Sequence, residues 1–587
     1  MLDSARVFHL RGEEDGVALR QAVPIEALRH TAAHVLAYAV ADLFPDAKPT
    51  IGPAIENGFY YDFDRSEPFT TDDLARLEAR MREIIAADYA MTGREVTRDG
   101  AIEAFRSNPY KVEMASEIPE GEPITLYTIG AFTDLCRGGH AHGTAEIGAV
   151  KLMSVAGAYW RGDEHKPMLQ RIYGTAFPTQ RELDDYLVFL EEAQKRDHRK
   201  LGVELGLYSI EEEAGGGLVF WHPKGAVVRG IVEDFIREGL RERGYLPVVT
   251  PHIVHERLYE TSGHLENFGQ NMFGPIEVEG QRFRLKPMNC PGHIMIYRSE
   301  LRSYRDLPLR YSEFGTVYRF ERSGTLHGLT RVRGFTQDDA HLFCTPEQLQ
   351  HEFDQTVDEA LRLMHAFRFE RFEYFLSTRE HRGESDEIAE NAIRRALESR
   401  GLPYSIDEGG GAFYGPKLDI NLHDAIGRPW QLGTVQVDFV LPERFELVYR
   451  GSDGDHRPVM IHRALAGSME RFFGVLIEHF GGNFPAWLAP VQAMVIPISE
   501  HQVVYADEIR DTLRARGFRV DADHSNEKLG YKIRHWKKQK LPYLLVVGKS
   551  ELADRTVSVN ERGTEEKRVV AVDAFADELA VVVRDRS

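Results

Sequence analysis

The run IHRALAGSMERFFGVLIEHF, residues 461–480, restricts this chain more than any other segment. Its helical part is too apolar for a surface, so it belongs inside a domain. Yet it carries Glu470 and Arg471 just after Gly467-Ser468. An arginine emerging from a buried helix is costly unless it is paired or meets an anion. The fold must therefore bring either a partner carboxylate or an anion-holding cleft to this helix, and a nucleotide triphosphate would supply such an anion.

With 587 residues the chain exceeds one hydrophobic core, and about three to five domains are expected. A 42% hydrophobic content with 10% aromatics argues for packed domains rather than disorder. No stretch approaches the roughly 20 apolar residues of a membrane span, and MLDSARVFHLRGEEDG has no signal-peptide core. Three scattered cysteines, Cys136, Cys290 and Cys344, make no disulfide framework and point to a reducing, cytoplasmic setting. The net charge of −20 speaks against nucleic-acid binding by the whole surface, but binding phosphate needs only a local basic patch. Such a patch lies at Lys528, Lys532, Arg534, Lys537, Lys538 and Lys540, against the single acid Glu527. Its alternative reading is a solvated helix face.

The first dozen residues read as a short strand or tail. Residues 25–175 mix a helical start, IEALRHTAAHVLAYAVADLF, with the strand-like NGFYYDFD. Pro178 opens a charge-rich helix with Leu183, Leu187 and Leu190 at i, i+4 and i+7, a linker between domains. From 201 to 488 come a glycine-rich loop and a helix over 225–243 with Val228, Ile231, Val232, Phe235, Ile236 and Leu240 on one stripe. A strand ending at Pro251 follows, then β-rich runs such as PLRYSEFGTVYRFE and RPWQLGTVQVDFVL, as an antiparallel sheet would give. After NFPAWLAP the rhythm becomes strand–helix alternation, an α/β unit with a mainly parallel sheet.

The segment YRFERSGTLHGLTRVRGFTQDDAH places Arg319 and Glu321 two apart on an extended run, hence on one face. Such an arginine can clamp a phosphate, and such a carboxylate can accept from an adenine amino group. Arg331 and Arg333 lie across a turn beginning at Ser323-Gly324. The competing reading is a surface ion-pair ladder, but four arginines interleaved with aromatics favour phosphate and ring binding.

These three segments together resemble motifs 1, 2 and 3 of the class II aminoacyl-tRNA synthetases. The strings KPMNCPGH, RVRGFTQDDAH, FYGPK and MIHRA resemble the threonyl-tRNA synthetase family, and the match runs through nearly the whole chain from about residue 20. The resemblance implies an α+β multidomain protein: a six-to-seven-stranded antiparallel catalytic sheet flanked by helices, an N-terminal α+β editing domain and a C-terminal α/β anticodon-binding domain. The boundaries expected are 1–177 for tail and editing domain, 178–200 for the linker helix, 201–488 for the catalytic domain and 489–587 for the anticodon-binding domain. It implies ATP-dependent attachment of L-threonine to tRNA(Thr), Mg²⁺ with the ATP, and a homodimer formed partly through motif 1, with neither DNA nor membrane as partner.

Residue by residue, Arg319 would hold the α-phosphate and Glu321 the adenine amino group. Phe335 and Arg471 would sandwich the adenine, with Arg331 and Gln431 in the same ATP site. Gln337, Asp339, Tyr414, Gln436 and Ser468 would surround threonine, and His264 of TSGH would assist transfer to the tRNA. Leu432 stands where the family often has a cysteine. Cys290, His341 and His462, 51 and 121 residues apart, have no CxxC-type spacing, and by spacing alone they read as a packed cysteine with two satisfied histidines. The resemblance makes them ligands of one Zn²⁺ per subunit with a fourth position open to substrate. An open metal would bind the amino and hydroxyl groups of threonine and so reject valine, which a hydrophobic pocket separates by only about a hundredfold.

Serine keeps both groups and lacks one methyl, worth about 1–3 kcal/mol, so a second, hydrolytic site is expected. His30 and His34 in HTAAH share a helix face, and Cys136 and His140 in DLCRGGH repeat that spacing across Gly138-Gly139. By residue type the four read as a zinc site or as a packed helix and polar loop. The resemblance selects an editing site for seryl-tRNA, with Asp134 in the same constellation. At the other end Asn526 and Glu551 match anticodon-reading positions. Asn560 replaces a common arginine, leaving either Arg562 as substitute or a weaker base contact. Only about 25 residues precede HTAAH, so the small β-rich domain that opens many bacterial members is expected to be absent. The rival readings are a prolyl or seryl synthetase, a non-activating tRNA- or mRNA-binding paralogue, and a free-standing hydrolase of mischarged tRNA.

Overall fold

The computed structural model describes residues 23–380 and 382–587. The tail reading and the missing-domain reading both concern residues outside that range. The fold separates into one unit up to Glu191 and another from Glu192 onward, a division inside the expected linker helix.

In the first unit the alanine-rich helix Ile25–Leu43 is buried almost all round from Leu28 to Val40. Small side chains let it sink into an antiparallel sheet whose main path is Lys48–Pro49, Gly58–Asp64, Met168–Phe177 and Ala149–Tyr159. Helix Thr71–Ala86, opened by a Thr70/Asp73 capping box, closes the same core. A smaller antiparallel sheet, Met91–Val96, Ile124–Ile129 and Phe132–Leu135, is backed by short helices including Pro109–Glu117.

The second unit is built on an eight-stranded sheet. Its six inner strands, in order Leu309–Tyr318, Gly334–Cys344, Val459–Ser468, Pro429–Asp438, Lys417–His423 and Phe372–Ser377, are all antiparallel. The outer two, Leu246–Pro247 and Tyr404–Asp407, join in parallel, which takes the count past the six or seven expected. Helix Pro223–Glu242 starts on its proline and buries Val228, Val232, Phe235, Ile236 and Leu240. Helix Met469–Phe480 is buried on most sides, as its composition demands.

The last sheet runs Val520–Ala522, Ala493–Pro497, Tyr543–Val547, Thr556–Glu561, Lys567–Ala571. It is mixed rather than mainly parallel: two pairings are parallel and two antiparallel. The links after Val547 and Glu561 are too short for a crossover of a dozen or so residues, so the chain must turn back on itself.

Candidate functional site

Strand pairing assembles the first cluster. His341 and His462 lie directly opposite each other on adjacent strands, with ring centroids 4.6 Å apart. Cys290 opens helix Cys290–Arg298. The three side chains are buried, and their donor atoms all lie within 4.8 Å of one another. Each imidazole has one nitrogen already committed. His462 Nε2 lies 2.7 Å from Asp438 Oδ2, and His341 Nδ1 lies 2.9 Å from His293 Nδ1, whose Nε2 reaches Glu313 Oε2 at 3.1 Å. The remaining nitrogens, His341 Nε2 and His462 Nδ1, are left to converge with the thiol, as in metal sites whose histidines are oriented by a hydrogen bond from the far side of the ring. Burial, with His462 and His293 nearby, holds His341 well below its ordinary pKa and therefore neutral. Burial, with Asp339 and Asp438, pushes the Cys290 thiol well up, so a bound cation is what would make it a thiolate. A soft sulfur and two imidazoles suit zinc.

The expected threonine residues surround this cluster. Gln337, Asp339 and His341 alternate onto one face of their strand. Gln337 pairs with Ser468, and Gln436 pairs with His462. The Tyr414 ring lies 4.9 Å from that of His462. Asn289 donates to Asp339 Oδ2 at 2.9 Å, reaching over Gly315, where a Cβ would stand 2.4 Å from the amide. His264 is fully buried beside the cluster, with Nδ1 2.7 Å from Ser262 Oγ and Nε2 3.7 Å from Cys290 Sγ. Burial, then His462 and two arginines, pushes it down to about 3. Leu432 is the extra residue of a bulge between the pairs Gln431–Asn421 and Gly433–Ile420, and its side chain is buried. Asn289, His293, Glu313 and Asp438 were missed by sequence reasoning; the first two lie inside the KPMNCPGH string.

Arg319 follows directly on the strand Leu309–Tyr318 and lies between the Phe268 and Phe335 rings at 5.3 and 5.0 Å; burial lowers its pKa, opposed by the nearby carboxylate of Glu321. Ser468 caps the N–H of Arg471 at 3.0 Å. The Arg471 Nε is buried with no hydrogen-bond partner among the described residues, and burial and then the neighbouring Arg331 lower its pKa. Two cations thus converge where an anion is wanted. Glu470 is spent internally on Arg229 and the Thr336 N–H. Glu321 pairs with Arg331 at 3.0 Å, and Arg333 braces the loop through the Glu321 carbonyl and Ser323. The ion-pair reading thus describes part of this loop. Gln431 is exposed at the start of its strand.

The first unit gathers a second cluster. His30, His34, Cys136 and His140 also place their donor atoms within 4.8 Å of one another. Gly138 and Gly139, at φ +98° and +81°, turn the loop so that Cys136 Sγ meets His140 Nε2 at 3.1 Å and His30 Nε2 at 3.5 Å. Asp134 Oδ2 accepts from Tyr61 and lies 3.2 Å from His34 Nδ1; its other oxygen pairs with buried Lys111. Burial opposes ionisation of Cys136, but hydrogen bonds from His140, His30 and His34 bring it down to about 3. Burial likewise opposes protonation of His34, yet Asp134 and Cys136 raise it to about 9. The result is a thiolate–imidazolium pair in a half-buried cluster whose four donors could also hold a metal. Lys111 and Tyr61 gave no sequence signal beyond a helical start and an aromatic run.

At the C-terminal end Asn526 is exposed before helix Leu529–Lys538. The basic patch is smaller than expected: Lys532 is buried against Asp523, and Lys540 Nζ donates to the Gly481 carbonyl at 2.6 Å. Lys528, Arg534, Lys537 and Lys538 stay exposed. Glu551 caps the Gly548 N–H at 2.9 Å. Asn560 folds back on its own sheet, while Arg562 donates to the carbonyls of Phe484, Asn483 and Lys540. Arg562 is therefore not free to replace the arginine that Asn560 displaces.

Residues 124–173 match the threonyl and alanyl tRNA synthetase second additional domain, 275–480 the tRNA synthetase class II core domain (G, H, P, S and T), and 492–581 an anticodon binding domain. A threonine–tRNA ligase of Acidithiobacillus ferrooxidans is 54% identical over 562 residues, covering 94% of this chain and 87% of that one. One from Nitrosococcus oceani is 52% identical over 566 residues, 95% and 88%. A crystal structure of the RNA binding domain of threonyl-tRNA synthetase from Cryptosporidium parvum aligns at TM-score 0.63 and 43% identity, over 65% of this chain and 98% of that one.

Proposed function

The chain belongs to the threonine–tRNA ligase family, and we propose that it joins L-threonine to tRNA(Thr) through a threonyl adenylate and clears seryl-tRNA(Thr) hydrolytically. The observation that carries this reading is a half-buried arginine, Arg471, whose buried Nε has no hydrogen-bond partner among the described residues, in the same sheet-and-helix assembly as a thiol and two imidazoles that converge. Arg319, Arg331, Phe335, Gln431, Arg471 and Glu321 hold ATP with its Mg²⁺. The threonine carboxylate attacks the α-phosphorus, and the fixed guanidinium of Arg319 offsets the charge that develops as pyrophosphate leaves. Gln337, Asp339, Tyr414, Gln436 and Ser468 line the amino-acid pocket. Zinc held by Cys290, His341 and His462 would supply a Lewis acid selective for an amino group beside a hydroxyl.

His264, kept neutral by burial, assists transfer to the tRNA. In the first unit His30, His34, Asp134, Cys136 and His140, joined by Lys111 and Tyr61, hydrolyse the serine ester. Asn526 and Glu551 read the anticodon while the exposed cations beside Asn526 meet phosphate. We assign 178–200 as linker, 201–488 as catalytic domain and 489–587 as anticodon-binding domain. A homodimer is supported by the exposure of Val249 at 88%, with Leu246 and Ile253 near half-exposed, around motif 1. Among the described residues no helix is long and apolar enough to cross a membrane, and a cytoplasmic location fits the three free cysteines. Pyrophosphate exchange with threonine, serine, valine and proline in parallel tests the assignment. Exchange with threonine, leakage with serine and near silence with valine and proline is expected; equal rates for threonine and valine would refute the pocket.

A further inference from the structure

A third cluster of metal-type donors, Asp197, His198 and Glu478, joins the expected linker to the far end of helix Met469–Phe480, and none of the three has been given a role above. Its chemistry is not that of a metal site. Asp197 spends its carboxylate on Arg199, and Glu478 faces Arg428. Both ring nitrogens of fully buried His198 are engaged by the protein: Nε2 accepts the Leu329 N–H at 3.0 Å, and Nδ1 lies 2.5 Å from Glu478 Oε1. Since Nε2 must offer its lone pair to an N–H, the proton sits on Nδ1 and is donated to Glu478, which fixes one neutral tautomer.

We propose that His198 is a positioning residue for the nucleotide site, hanging the Gly328–Leu329 turn of the arginine-bearing loop from the end of helix Met469–Phe480. The fit on each side is close. Gly328 adopts φ +46°, and a Cβ there would stand 2.2 Å from His198 Nε2. Gly474, on the helix that presents Arg471, would put a Cβ 3.2 Å from Leu329 and 3.5 Å from the His198 ring. Leu329 is wholly buried, so the loop is pinned two residues before Arg331 and six before Phe335. Beyond Glu478 the chain of contacts continues through Arg428 to Asp424, which accepts from Trp430, the neighbour of Gln431. One imidazole therefore ties together three segments that the proposed ATP site draws on.

The inference rests on the synthetase reading for its kinetic test but not for its structural one. In the full-length protein, His198→Asn keeps an amide near Nδ1 for Glu478 and loses the acceptor for Leu329. His198→Gln places an oxygen near Nε2 and restores that acceptor. In threonine-dependent pyrophosphate exchange His198→Asn should raise the KM for ATP about tenfold, the worth of one buried hydrogen bond, with the KM for threonine within about twofold. His198→Gln should recover most of the loss. Trypsin should cut after Arg331 or Arg333 faster in His198→Asn than in wild type or His198→Gln. An unchanged KM for ATP, parallel rises for ATP and threonine, or Asn and Gln variants cleaved alike would overturn the proposal and leave His198 a core filler. A wild type without exchange would sink the synthetase reading, with the proteolysis arm still deciding the loop.

Discussion

Cys136 is the side chain whose surroundings ask most of its chemistry. With its thiol near 3 and His34 near 9, the ion pair persists between roughly pH 4 and 9. Hydrolysis of seryl-tRNA should therefore be flat across that window and fall as His34 loses its proton above about 9, a profile measured by deacylation of preformed seryl-tRNA. Iodoacetamide at pH 6 should modify Cys136 ahead of Cys290 and Cys344, whose thiols burial pushes up; peptide mapping that finds Cys290 first would contradict the geometry. His30→Ala should spare threonine charging and let seryl-tRNA accumulate. The members of this site that strings such as HTAAH and DLCRGGH carry were legible. Lys111 and Tyr61 were not, because a residue that reaches Asp134 from another helix or strand leaves no local pattern.

Elements show the same division. The antiparallel core of the sheet follows from the β-rich runs, but its two parallel outer strands and its bulges do not. Between Gln337 and Asp339 the register against Val459–Ser468 shifts, and Asp338 fills the gap. Its carboxylate takes the Leu465 and Ala466 N–H groups and the guanidinium of fully buried Arg463. Asp338→Ala would strand that cation and should cost about 3–5 kcal/mol in urea unfolding; a loss under about 1 kcal/mol would show the bulge to be held by something else. The mixed C-terminal sheet departs from expectation for a related reason. Strand–helix alternation suggests parallel pairing, and only the lengths of the links, not the residues in the strands, reverse it.

At the scale of the molecule, the three family matches fall in the order that the resemblance implied. What composition could not reveal is how residues of the last hundred are spent. Lys540, an apparent phosphate contact by sequence, and Arg562, a possible base contact, hold backbone carbonyls at Gly481, Asn483 and Phe484 instead. Arg562→Ala should lower the unfolding temperature while leaving the salt slope of tRNA binding unchanged. Lys537→Ala with Lys538→Ala should flatten that slope by close to one unit for each phosphate these two lysines neutralise; filter binding across a salt series separates the two.

The facing histidines carry a last consequence. Hydrogen-bonding register between two strands, not an ion, brings His341 and His462 together, and Cys290 arrives on a helix packed in the same core. On the proposed zinc reading, such a chain should fold before the metal is recruited. Chelation should leave the unfolding temperature within a few degrees while abolishing threonine activation, and added zinc should restore it without refolding. A cell short of the ion would then hold an intact but silent stock of enzyme, recoverable in the time an ion takes to diffuse.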